Sequence, residues 1–274
     1  MLDLSHIPNS QQDTQIFYAN GTAWQTWRKP KKCNYVYIIC IGAGGGGLYG
    51  GTADNLNGGP GGAGAITRAL FNASLLSDIL YVLPGIGGKG GTNIASPVQA
   101  SKSFVALQPS TIVQNLILTS GTTAASSSSE TAATQTSMTF ATLGIFVSTA
   151  GPAAINADYN PFTSSVVTPG GSGGFKTSGS VTPAKVILAS SLSPLLEGGT
   201  SSTSTNGGNG QNGYTSWKPF FSIGGLGGGS SSVGIGGNGG NGGIGSGGGG
   251  GGAGQTLGGN GGDGGNGLVV IISF

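Results

Sequence analysis

Apolar positions in this chain come in short blocks that end abruptly. Tyr35-Val36-Tyr37-Ile38-Ile39-Cys40-Ile41 is unbroken, rich in β-branched and aromatic residues, and stops at Gly42. Such a run, apolar without alternation, predicts a strand buried on both faces. Ile79 to Leu83 stops in the same way at Pro84-Gly85, and Leu268 to Phe274 starts directly after Gly267. Shorter strand candidates are Ile112-Val113, Leu116 to Leu118, Ile145 to Val147, Val186 to Leu188 and the pair Phe220-Phe221 before Gly224. The first 22 residues are polar apart from Ile16-Phe17-Tyr18. No stretch has a sustained helical period.

The polar remainder is dominated by one residue type. Glycine accounts for 59 of 274 positions, and for 31 of the 61 between Gly207 and Gly267. An interior glycine costs about 1 kcal/mol relative to alanine in a helix, so α-helix is nearly excluded. From Gly234 to Gly245 the other residues are Ile235, Asn238, Asn241 and Ile244, at intervals of three, and the frame resumes at Asn260, Asp263 and Asn266. A period of three fits an extended left-handed helix with three residues per turn. Two glycines in every three exclude collagen, which needs one in three and abundant proline. The expected fold class is therefore mainly β, with short buried strands combined with a polyglycine II helix bundle and almost no α-helix. The expected organisation is an attachment segment at 1–22, a strand and glycine-rich part at 23–97, a Ser/Thr-rich β insertion at 98–206, and glycine repeats with a closing strand at 207–274. Residues 23–274 read as one composite domain, because strands bracket every glycine run.

Charge narrows the function classes. Ten basic and eight acidic residues leave a net charge of +2, too neutral for a nucleic-acid coat. No apolar run approaches a membrane span, and no signal peptide is visible at the start. Gly42-Ala43-Gly44-Gly45-Gly46-Gly47 satisfies the dinucleotide spacing, but no helix can follow it and no acid stands at the required distance. In Gly87-Gly88-Lys89-Gly90 a glycine occupies the place of the magnesium-binding hydroxyl of a phosphate loop. His6 is the sole histidine, which leaves no triad, no metal site and no cofactor to expect. Cys33 and Cys40, seven apart, would point to opposite faces if they shared one strand, and read as unpaired thiols.

Two groups carry binding chemistry. Arg28, Lys29, Lys31 and Lys32, flanked by Trp24, Trp27 and Tyr35, could hold an anion such as a phosphate or sugar acid. Tyr159 and Phe162, and Tyr214 and Trp217, combine rings with loop residues, a pairing suited to carbohydrate or protein recognition.

The segments 35–47, 58–65, 81–88 and the terminal Gly-Gly-Asn-Gly repeat before Leu268-Val269-Val270-Ile271 together resemble the glycine-rich domain of bacteriophage tail-fibre and virion proteins, in the style of distal tail-fibre adhesins. The resemblance implies polyglycine II helices in a rigid sandwich and receptor contact through intervening loops, here 52–57, 158–165 and 206–218. It further implies a particle-exposed protein that is not an enzyme, joins other virion proteins through residues 1–22, assembles as a homotrimer, and binds a host glycan or outer-membrane protein. No nucleic acid and no membrane insertion are expected. The rival expectation is a purely architectural virion protein such as a head fibre or capsid decoration. An ice-binding reading is weaker, because the period-three face mixes Ile, Asn and Asp.

Overall fold

A computed structural model describes residues 13–53, 56–122, 144–149, 166–174, 176–177, 180–181 and 196–274. Two antiparallel sheets form a sandwich. The larger has the order β1 (Asp13–Tyr18), β13 (Leu268–Ser273), β3 (Tyr35–Ile41), β4 (Ile66–Asn72) and β8 (Gly144–Thr149). The smaller has β2 (Gln25–Arg28), β5 (Ile79–Leu83), β6 (Ser103–Ala106) and β7 (Leu116–Ser120). Outside them lie the residue pairs β9 (Lys176–Thr177) and β10 (Ser180–Val181), and a hairpin of β11 (Thr215–Trp217) and β12 (Phe220–Ser222).

At its central strands the larger sheet is buried on both sides, which is why β3 and β13 read as apolar runs. Val36, Ile38 and Cys40 of β3 meet Trp27, Leu80, Val82 and Val105 of the smaller sheet. Ile39 and Ile41, with Val270 and Ile272 of β13, turn to the opposite side and pack under Ala63, Val167 and Phe220. Each fully buried side chain of this size contributes roughly 1.5–3 kcal/mol, so the two layers together anchor the chain.

Beyond one end of the sandwich the strands run straight into glycine. The pairing of β3 with β4 continues as Gly42 N–H donating to Ala65 (2.9 Å), and Gly267, ahead of β13, donates to Gly85, after β5 (2.8 Å). From there the glycine segments lie side by side as threads. The thread 245–254 is the centre. Its Gly250, Gly251 and Gly252 amides donate to three different neighbours, at Gly171, Leu48 and Gly237. Its carbonyls accept from three more, for example Gly251 from Gly58, Gly250 from Gly228 and Gly252 from Gly259. The same set of partners recurs three residues along.

Outer threads have solvent on one side, and there a side chain appears at every third position. Asn209 Oδ1 accepts from Asn238 N–H (2.9 Å) and Asn212 Oδ1 from Asn241 N–H (2.8 Å). Asn238 and Asn241 then accept from Asn260 (2.8 Å) and Asp263 (2.9 Å) in the next thread. Asp263 and Asn266 pass the pattern on to the Gly90 and Gly87 amides. The outward carboxamides thus satisfy the N–H groups that no neighbouring backbone reaches.

This arrangement corrects the expected fold class. No polyglycine II helix bundle, nor any other helix bundle, is present among the described residues. The fold is mainly β-sheet, and among the described residues helix is confined to two 3-10 turns, at Ala73–Leu75 and Val113–Asn115. The spacing of three that suggested a helical repeat is accounted for by the side-chain-to-backbone ladder, which repeats at that interval from thread to thread. Within the Ser/Thr-rich stretch, β6 and β7 belong to the smaller sheet and β8 to the larger. Ile112-Val113 leads into a 3-10 turn rather than a strand. Val186 to Leu188 lie outside the described residues.

Cys33 and Cys40 are both unpaired thiols. Cys40 is fully buried, and desolvation pushes its thiol well above the usual range, only partly opposed by the Ser120 backbone. The unfolded thiol ionises near its ordinary value while the folded one keeps its proton. Above about pH 9 wild-type stability should therefore fall by up to about 1.4 kcal/mol per pH unit more steeply than that of Cys40→Val. Urea titrations of both proteins from pH 7 to 10.5 measure the difference, and parallel curves would refute it.

Candidate functional site

Trp217 and Lys218 lie at the tip of the β11–β12 hairpin, which register pairs Thr215 with Ser222 and Trp217 with Phe220. Phe220 and Phe221 are buried on the two sides of this hairpin and belong to different apolar clusters. That fixes the hairpin against the sandwich and leaves Trp217 to solvent, 41% exposed. Its ring lies 5.5 Å from that of Phe220 and meets Tyr18 edge-on at 6.3 Å. Tyr18 is 53% exposed, on the edge strand β1. Beside it the Gln25 side chain donates to the Tyr18 carbonyl (2.7 Å) and ties β2 to β1. Two held, half-open rings next to a lysine offer flat apolar area without a large ordering cost on binding.

Tyr214 is different. Its ring packs edge-on against Phe221 at 5.8 Å, alongside the cluster of Leu196, Ile223 and Leu226. It serves mainly as the hairpin's inner support. Tyr159, Phe162 and the whole loop 158–165 lie outside the described residues, as do His6 and most of the proposed attachment segment. Asp13–Tyr18 of that segment form β1. In the loop 52–57, Gly51 N–H donates to the Leu56 carbonyl and Asn57 reaches the Gly173 carbonyl (2.9 Å).

Sequence reading missed Tyr18. Ile16-Phe17-Tyr18 is apolar at all three positions, so the period of two that sends Phe17 inward and its neighbours outward leaves no mark in composition. The edge position of β1 is what exposes them, and edge status is a tertiary property.

The basic cluster divides in two. Lys29 Nζ donates to the Leu76 carbonyl (2.8 Å) and the Ala73 carbonyl (3.2 Å), and pairs with Asp78 at 2.9 Å. It clamps the turn after β4. Arg28, Lys31 and Lys32 stay exposed around a cavity of about 700 Å³. The glycine motifs of the sequence are consumed by the lattice of hydrogen-bonded glycine threads: Gly44, Gly45 and Gly47 donate to Gly265, Gly62 and Gly262. Their amides are not aimed at a phosphate. Lys89 pairs with Asp263 at 2.7 Å.

No curated protein matches the chain. A family profile described as a glycine-rich domain matches residues 19–273. That description corrects the resemblance drawn from the sequence: it supports a glycine-rich domain and not specifically a phage tail-fibre adhesin, and the polyglycine II helices implied with it are absent among the described residues. The match runs from the residue after β1 to the end of β13 and takes in sandwich and lattice together, so the chain belongs to the glycine-rich domain family.

Proposed function

We propose that the chain is a structural protein of a bacteriophage particle that displays a binding surface to a host-cell receptor, a glycan or an outer-membrane protein. The observation that carries this reading is the Trp217–Tyr18 pair, held half-open where the hairpin meets the edge strand β1, with the hairpin's Phe220 and Phe221 locked in the core. The lattice behind it supplies stiffness through peptide groups, which suits a protein exposed on the outside of a particle. Residues 1–22 join it to other virion proteins, and a homotrimer is the assembly we favour. Its role is binding and structure rather than catalysis.

The test is adsorption competition with the purified, folded chain. Wild type should block adsorption saturably, and Trp217→Ala with Tyr18→Ala should weaken blocking about tenfold or more, as loss of an aromatic hot spot does. Absence of blocking by the folded wild type would refute receptor binding. A purely architectural role has one observation in its favour: the carboxamides on the outer threads already give their oxygens to the lattice itself. Unchanged blocking by the double variant would move the binding surface away from the hairpin.

A further inference from the structure

We propose that the basic cavity at the opposite end of the sandwich is a docking socket for an acidic peptide segment of another protein. The inference stands independently of receptor binding at Trp217. The cavity lies between the turn that joins β2 to β3 and the connection from β4 to β5. Arg28, Lys31 and Lys32 surround it, and Lys29 and Asp78 in its wall already neutralise one another. In a chain with only 18 charged residues, four of the ten cations gather here. The field they make has no second acid in the lining to cancel it.

The shape favours a peptide over a bare ion. A volume of about 700 Å³ is far larger than a phosphate needs, and Pro30, Ala73 and Ile79 give the wall apolar area between amide groups of Asn34 and Asn72. An extended segment with carboxylates on alternate residues would place its charges on the guanidinium and the two ammonium groups and its stem on that wall. Lys32 is held in the left-handed region, with φ 68. A non-glycine residue rarely adopts that conformation, so the turn is fixed by its surroundings rather than by its own preference.

Position supports a mounting role. Register sets Tyr35 opposite Asn72, and Val36, next along β3, opposite Ser273, which in turn pairs with Asp13. Ile41, Ile66, Leu268 and Tyr18 gather at the other end, where the lattice begins. A partner seated in the socket therefore leaves the hairpin and the lattice uncovered.

Fluorescence anisotropy of a labelled peptide alternating Glu and Gly, titrated with the full chain, tests the proposal. Saturable binding is expected, weakened about tenfold or more in Lys31→Glu/Lys32→Glu and by salt raised to roughly 0.3 M. Lys32→Gly, which suits the left-handed backbone, should fold normally and lose only part of the affinity. Failure of the wild type to bind, or equal binding by a charge-reversed variant with an unchanged melting temperature, overturns the proposal. Two competitors separate other sources of negative charge. Millimolar inorganic phosphate and vesicles containing anionic lipid should not displace the peptide, and displacement by either would reassign the socket to phosphate or to a membrane surface.

Discussion

Gly249→Ala should destabilise the protein by more than about 3 kcal/mol or prevent folding, a larger effect than the usual 1–3 kcal/mol of an overpacked core. A Cβ at this position would overlap the Leu226 carbonyl, with Gly225 close behind. The obstacle is backbone rather than a side chain that can rotate away. Leu226 is itself fixed, because its N–H donates to Gln211 (2.9 Å) while its carbonyl accepts from Gly240 (2.7 Å). Moving it would strain contacts in three threads at once. Ala253, four residues along the same thread, is fully buried and already carries a Cβ. Ala253→Gly should cost only about 0.5–1 kcal/mol, the usual entropic penalty of glycine. Urea denaturation followed by circular dichroism gives both values. Equal and small losses would show that the thread is not closely surrounded.

The contrast between these positions explains what the sequence discloses and what it withholds. Unbroken apolarity in Tyr35–Ile41 and Leu268–Ile272 is legible because burial on two sides leaves no polar alternation to hide it. The run Gly247 to Gly252 is legible as unusual, and the structure supplies the reason: neighbours on every side leave no room for a Cβ. Asn238 and Asn241 stand at intervals of three because only one side of their thread is free. The sequence cannot say how that interval is used, and a ladder of side-chain oxygens on neighbouring amides fits it as well as the expected helical repeat. Which threads are neighbours is equally hidden, since Gly44 bonds to Gly265 across most of the chain. Of the candidate site, Trp217 was legible as a ring beside loop residues. Tyr18 was not, because its exposure comes from an edge that only the assembled sheet creates. The basic cluster was visible as a whole, but its division into a clamp, Lys29, and a free rim, Arg28, Lys31 and Lys32, depends on carbonyls more than forty residues away.

Trp27→Ala should cost about 3–5 kcal/mol, as expected for removing a buried tryptophan from a packed core. Trp27 has no exposure, stands opposite Leu80 in the β2–β5 pairing, and fills the space between the sheets beside Val36, Ile38 and Phe71. Its Nε1 is buried with no hydrogen-bond partner. An unsatisfied buried donor costs roughly 1–3 kcal/mol, so Trp27→Phe removes a penalty along with ring area and should lose less than half as much as the alanine. The pair of variants also tests whether sandwich and lattice fold together. The strands pass into the glycine threads with no break in the bonding, as at Gly42 and Gly267. Weakening the core between the sheets should therefore release the lattice amides at the same urea concentration at which the core unfolds. Hydrogen exchange at Gly247–Gly252 and near-UV circular dichroism, followed on Trp27→Ala across the same titration, should give one midpoint. Two separated midpoints would mean that the threads hold themselves together without the sandwich, and that the shared hydrogen bonds at their junction carry no coupling.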